Sequence, residues 1–270
     1  MTDLQGKVAL VTGGGTGIGK GIAERFHGLG MKVVLAGLDQ AQDTANQYFG
    51  RNMGGYTAAR QLADSLGDGA IALDTDVTDA GQVAAMTAAT VESFGRIDVL
   101  VNGAGVITAK PVEDLSEADW DSVVGVNAKG TFLTNQAVVA QMRKQGGGGC
   151  IVNIASIAGK LGVPYLSHYC ASKWAVIGFS ISLAKEVAKE GITVNCLCPG
   201  IVGTQMWTLL SKAFAQPGEK EEVAYARSIE TFIPQGVPQT EDDMADMTAF
   251  LITAPHITGQ AFAVDGGASH

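Results

Sequence analysis

The feature that most constrains this chain of 270 residues is its alternation of short, continuously apolar runs with longer segments of helical spacing. Val8–Val11, Lys32–Ala36, Ala70–Leu73, Val99–Val101, Cys150–Ile154, Thr193–Leu197 and Ala261–Val264 read as strands. A strand that is apolar without interruption is buried on both faces, which is the situation in a parallel sheet covered by helices. Helical spacing predicts helices near Ile18–Leu29, Thr57–Leu66, Ala80–Phe94, Glu117–Gln141, Tyr165–Lys189 and Thr240–Thr253. The expected fold class is α/β: a doubly wound, mostly parallel seven-stranded sheet with helices on both faces. No shift in composition marks a second domain, so residues 1–270 are expected to form one. Gly146–Gly149 reads as a tight turn between a helix and a strand.

Charge narrows the class of partner. A net charge of −9 argues against nucleic acid or an anionic membrane as the main ligand. A phosphate-bearing cofactor stays compatible, because backbone N–H groups at a helix start bind phosphate without any lysine. Met1 to Lys7 lacks an apolar signal core and no run reaches membrane-spanning length, so the expected location is the cytoplasm. Cys196 and Cys198 alternate on a strand and point to one face. A metal pair is conceivable there, but buried free thiols are the better reading, with Cys150 and Cys170 alike, and no metal is expected.

Gly is abundant, at 36 residues, and one cluster sits where chemistry is expected. Thr12-Gly13-Gly14-Gly15-Thr16-Gly17-Ile18-Gly19 directly follows the first strand and opens a helix. Its glycines permit a tight turn and close backbone approach to a pyrophosphate at the helix N-terminus, although alone the motif is also an ordinary strand–helix turn. Tyr169 and Lys173 are four residues apart in a helical segment and share one face. A cation beside a phenol favours the phenolate and lowers its pKa toward neutrality, which suits a proton acceptor for an alcohol. Such a pair is usually a plain surface pair, so position must decide. Ser156 ends a strand at the edge where α/β sheets bind ligands. His168 neighbours Tyr169 but is expected to point about 100° away.

In order and spacing these residues resemble the short-chain dehydrogenase/reductase family, whose fold is the Rossmann type. The glycine motif, Asn102-Gly103-Ala104-Gly105, Asn127, Ser156, Tyr169 with Lys173, Pro199-Gly200 and Val264-Asp265-Gly266-Gly267 carry the resemblance over nearly the whole chain. Gly103 stands where the family usually has a second Asn. The resemblance implies hydride transfer between a nicotinamide cofactor and a secondary alcohol or ketone, with four catalytic residues. Tyr169 would be the acid/base, Lys173 would lower its pKa and hold the nicotinamide ribose, and Ser156 would position the substrate oxygen. Asn127 would hold a proton-relaying water, or else bend its helix by bonding to backbone. It further implies cofactor contacts from Gly13, Gly15, Thr16, Gly17, Ile18 and Gly19, from Asp76 and Val77 at the adenine, and from Asn102, Ala104 and Gly105. Pro199, Gly200, Val202 and Thr204 would meet the nicotinamide end.

NAD is the expected cofactor, with NADP the alternative. Family members that use NAD normally carry an acid at the position of Gly37, and NADP users often carry Arg at that of Leu38 or a base at that of Thr16. Here Asp39 is the nearest acid, and a small loop shift would bring it to the ribose; Arg51 or Arg60 folding back would favour NADP. Cys198-Pro199-Gly200-Ile201-Val202 with Thr204 and Met206-Trp207 looks like acetoin/butanediol and sugar-alcohol dehydrogenases, so a small diol, hydroxyketone or polyol is the expected substrate. A 3-oxoacyl thioester reductase using NADPH and a non-catalytic cofactor sensor are the alternatives. Thr204–Val237, with Met206, Trp207 and Phe214 beside a charged patch, is expected to be a substrate lid, or else an ordinary surface hairpin. The segments holding Phe132, Val138, Val139, Trp174, Ile177, Phe179 and Ile181 are apolar on more than one face. Association of copies is therefore expected, and the resemblance implies a homotetramer.

Overall fold

The computed structural model describes residues 4–39 and 55–269. Its strands are β1 (Val8–Thr12), β2 (Lys32–Gly37), β3 (Ala70–Asp74), β4 (Val99–Asn102), β5 (Gly149–Ile154), β6 (Ile192–Pro199) and β7 (Ala261–Val264). All pair in parallel, in the spatial order β3-β2-β1-β4-β5-β6-β7. The helices are α1 (Gly17–Gly28), α2 (Gly55–Leu66), α3 (Ala80–Phe94), α4 (Glu117–Val124), α5 (Thr131–Gln145) and α6 (Ser167–Val187), followed by α7 (Gln205–Phe214), α8 (Glu221–Phe232) and α9 (Glu241–Ile252).

Alternate residues of each strand feed two cores, because successive side chains leave opposite faces. Ala9, Val11, Val33 and Leu35 pack with Ile22 and Phe26 of α1, Leu62 of α2 and Met244 of α9. Leu10, Val34, Leu100 and Ile151 pack on the other face with Met86 of α3, Met142 of α5 and Val187 of α6. The chain winds outward from β1 to β3, then restarts at β4 on the other side of β1. That reversal leaves a crevice above the carboxyl ends of β1 and β4, where a ligand meets no crossing connection.

Helix ends follow local chemistry. Asp79 caps α3, its carboxylate accepting from Gln82 N at 2.9 Å, and Gly95 closes that helix in the left-handed region. Ser116 with Asp119 and Thr240 with Asp243 form capping boxes on α4 and α9. The one helix expected over Glu117–Gln141 is instead two, joined by a π-helical turn at Gly125–Gly130. The cause is Asn127 in that turn: its side chain bonds to Val106 rather than along the helix, while Thr131 Oγ1 donates to the Asn127 carbonyl at 2.7 Å.

The second helix begins two residues earlier than its spacing suggests, at Gly55, so Tyr56 belongs to α2 rather than to the preceding connection. Of that connection, residues 40–54, with Arg51, lie outside the described residues. Val138, Val139 and Ile177 are spent on the chain's own core, whereas Phe132 and Trp174 stay 42% and 53% exposed. Among the described residues no helix is long and apolar enough to cross a membrane.

Candidate active site

A cavity of about 660 Å³ lies over the crevice at the carboxyl edge of the sheet. Gly13, Gly15, Thr16, Gly17, Ile18 and Gly19 line it from the β1–α1 loop, Asp76 and Val77 from beyond β3, and Ala104 and Gly105 from beyond β4. Pro199, Gly200, Val202 and Thr204 line it from beyond β6. The start of α1 is built for an anion. Thr16 makes no side-chain cap, and no acid stands in the first turn. In contrast to α3, α4 and α9, the first N–H groups of α1 are left to the cavity, where a pyrophosphate supplies what a capping side chain would. Gly19 lets the loop fold this tightly, since a Cβ there would lie 2.2 Å from the carbonyl oxygen of Gly13. Gly103 N and Ala104 N donate to the carbonyl and hydroxyl of Thr12, pinning the β4 loop against the glycine loop. These residues fit a dinucleotide.

The other half of the cavity holds the reactive groups. Tyr169 and Lys173 sit one turn apart on α6, both buried, with Lys173 Nζ 5.6 Å from the centre of the Tyr169 ring. Lys173 Nζ donates to the Ile154 carbonyl at 2.9 Å, which ties α6 to the end of β5. Ser156 follows two residues later, its Oγ accepting from Ala158 N at 3.1 Å, so its hydroxyl hydrogen is available to the cavity. Burial pushes the Lys173 ammonium from its usual range down to about 8. Burial also pushes the thiols of Cys196 and Cys198 up to about 12 and about 11, which keeps both un-ionised at neutral pH.

Three residues expected at the site stand elsewhere. Asn102 is buried behind the cavity, donating to Asn153 at 2.7 Å and accepting from Thr134 at 2.6 Å. Asn127 is fully buried; its Oδ1 accepts from Val106 N, and its Nδ2 donates to Val106 O and Ser172 Oγ. Its side chain therefore takes the second of its two expected roles, bonding to backbone, and so positions the strand-like segment after Gly105. Asp39 turns to α2, where its carboxylate accepts from Thr57 N and Thr57 Oγ1. Those bonds hold its carboxyl below the usual range, and the neighbouring Leu38 lines the cavity instead. His168 is fully buried against Thr108, with burial holding its imidazole below the usual pKa, and it does not line the cavity.

Spacing along the chain missed Glu241, Val163 and Leu166 as lining groups, whereas Met206, Trp207 and Phe214 stand on the segment expected over the substrate. Glu241 reaches the cavity beside Gly17 because α9 packs on α1, a contact between segments more than two hundred residues apart. Val163, Leu166, Met206, Trp207, Leu210 and Phe214 enclose the lobe beyond Tyr169, and all but the first two come from α7. Trp207 meets Tyr225 of α8 with ring centres 6.4 Å apart. Arg227 of α8 donates to the Phe214 carbonyl at the end of α7 and pairs with Glu219 at 2.9 Å, fastening the two helices together.

A family model described as short chain dehydrogenase matches residues 7–214. The chain belongs to the short-chain dehydrogenase family. It is 36% identical over 271 residues to galactitol 2-dehydrogenase of Agrobacterium fabrum (strain C58), with 98% of each protein covered. It is 37% identical to 3-oxoacyl-[acyl-carrier-protein] reductase of Synechocystis sp. PCC 6803, covering 99% of this chain and 98% of that protein. Among solved structures, actinorhodin polyketide ketoreductase with NADPH superposes with a TM-score of 0.87 at 34% identity, covering 97% of each chain. As a short-chain dehydrogenase, this protein is an NAD(P)-dependent oxidoreductase that moves a hydride between nicotinamide and a secondary alcohol or ketone.

Proposed function

We propose that the chain interconverts a neutral secondary alcohol and its ketone, with NAD preferred, and that Tyr169 is the acid/base. The observation that carries this reading is the buried Tyr169–Lys173 pair opening, beside Ser156, onto the same cavity as the bare start of α1. A bound nicotinamide supplies the hydride acceptor or donor. Tyr169 takes the alcohol proton as the carbon gives up its hydride, and returns it in the reverse direction. Ser156 donates to the reacting oxygen and holds it at the phenol. The Lys173 cation favours the phenolate and reaches the ribose, while its bond to Ile154 fixes its height in the site. Asn127 acts one step back, by holding Val106 beside the cavity. Gly13 to Gly19 take the pyrophosphate, Asp76 and Val77 the adenine, and Pro199 to Thr204 the nicotinamide end.

For cofactor choice, the end of β2 offers neither acid nor base. A side chain at Gly37 would put its Cβ 2.7 Å from the backbone of Gly55, so the family's usual acid has no room. Lys20 lines the cavity but pairs with Glu24 at 3.8 Å, and Arg60 is exposed on α2 outside the cavity. An additional phosphate on the ribose meets no fixed cation among the described residues there, which favours NAD. The galactitol dehydrogenase relative supports the alcohol-oxidising direction, and of the diol, hydroxyketone and polyol classes the apolar wall of the cavity favours the least hydroxylated. Exposed Phe132 and Trp174 support association of copies through α5 and α6.

The test is Tyr169→Phe, which keeps the ring and removes only the ionisable oxygen. Turnover is expected to fall at least a thousandfold, while NAD binding, followed by quenching of tryptophan fluorescence, changes less than threefold. Turnover within tenfold of the parent would exclude Tyr169 as the acid/base.

A further inference from the structure

The lobe beyond Tyr169 says more about the substrate than the catalytic groups do. Its walls are Val163 and Leu166 before α6 and Met206, Trp207, Leu210 and Phe214 on α7. Leu166 and Leu210 are buried; Met206, Trp207 and Phe214 are half-buried and pack on the same apolar cluster as Tyr169. Among the described residues, polar side chains reach this lobe only as Ser156 and Tyr169, which are spent on the reacting oxygen, and Gln205, which is exposed at the start of α7. The charged groups that line the cavity, Lys20, Asp76, Lys173 and Glu241, belong to the glycine-loop side or lie beneath the tyrosine. Among the described residues none stands in the lobe.

Resting on the function proposed above, we propose that the preferred substrate is a neutral secondary alcohol or ketone with an apolar body, aryl or branched alkyl, carrying at most one further hydroxyl. A hydroxyl buried in this lobe without a partner loses its hydrogen bonds to water, a cost of about tenfold or more in binding for each one. Gln205 can answer one such group. A hexitol brings a hydroxyl on every carbon and leaves most of them facing Leu166, Trp207 and Leu210. A methylene in the same place gains about fourfold, from roughly 0.8 kcal/mol of apolar burial. The two effects run in opposite directions along the same carbon skeleton, so substrate preference is steep.

The experiment measures kcat/KM with NAD for 2-butanol, 2-hexanol, 2-octanol, 1-phenylethanol, 2,3-butanediol and galactitol, in the parent, Met206→Gln and Trp207→Ala. In the parent, kcat/KM is expected to rise about fourfold per methylene until the lobe is filled, and 1-phenylethanol is expected to exceed galactitol at least a hundredfold. Met206→Gln keeps the length of the side chain and sits at a half-buried position; it is expected to narrow that ratio at least tenfold by helping 2,3-butanediol and galactitol. Trp207→Ala is expected to lower the rate on 1-phenylethanol tenfold or more with NAD binding unchanged. Galactitol or 2,3-butanediol turned over as well as 1-phenylethanol overturns the substrate assignment and leaves the alcohol–ketone reading standing. A parent that binds NAD and oxidises no member of the series overturns both.

Discussion

Lys173 illustrates at the scale of one residue how a site spends stability. Its side chain is 5% exposed, and burial brings its pKa from 10.5 down to about 8. The folded state therefore binds fewer protons than the unfolded chain between those values, and stability rises with pH across that window. Below about pH 8 the full cost is present, roughly 3 kcal/mol at neutral pH. Lys173→Met keeps the aliphatic length and removes the charge, at the expense of the bond to Ile154, itself worth about 1–2 kcal/mol. The variant is expected to melt a few degrees above the parent at pH 7, to lose that advantage by pH 10, and to lose at least a hundredfold in turnover. Melting curves at the two pH values check it; a variant clearly less stable at pH 7 would mean the ammonium is better solvated than its burial indicates. The Tyr169–Lys173 pair was legible in the sequence because helical spacing puts the two on one face and the resemblance carried by the other motifs singled that face out. Asp39 was not, and for Asn127 only the backbone-bonding role was, since their partners, Thr57 and Val106, are fixed by tertiary placement that spacing does not encode.

Elements were legible in proportion to how local their causes are. Strand positions followed from apolar runs, and α3 from helical spacing, with its Asp79 cap and closing Gly95 in the same stretch. The π turn at Gly125–Gly130 was hidden, because one inserted residue shifts the helical period while its cause, the bond to Val106, comes from 21 residues away along the chain. The segment Thr204–Val237 resolved into α7, whose apolar side closes the lobe, and α8, which packs on α7 through Tyr225 and Arg227. We infer that this pair of helices moves as a lid. Its seating on the site rests on half-buried Met206, Trp207 and Phe214, and its internal stiffness on Arg227 bonding Phe214 and Glu219. Amide exchange in α7 and α8 is expected to slow when NAD and substrate are both bound. Arg227→Ala is expected to speed exchange in α7 and to raise KM more than it lowers kcat. Equal protection in the free and ternary states would make the pair a fixed wall rather than a lid.

The molecule as a whole carries a net charge of −9, yet its cavity must admit an anionic dinucleotide. Local backbone N–H groups at α1 overcome the overall repulsion for the pyrophosphate, because they act at contact distance, where water and salt screen little. Among the described residues the ribose end is met by Gly37 and Leu38, with Lys20 the nearest lining cation, loosely paired with Glu24 at 3.8 Å. The extra phosphate of NADP therefore feels the field of the whole protein with no fixed cation among the described residues to offset it. Both cofactors bind only the folded state, so each raises the melting temperature by mass action, about 2.7 kcal/mol at a hundred times its Kd. At equal concentration and low ionic strength NAD is expected to give the larger shift. Raising salt to about 0.5 M shortens the Debye length to a few ångströms and screens the repulsion, so the gap between the two shifts is expected to narrow. A larger shift with NADP at every salt concentration would reverse the cofactor assignment. A gap in favour of NAD that ignores salt would place the choice in close packing at Gly37 and Leu38 rather than in the charge of the whole chain.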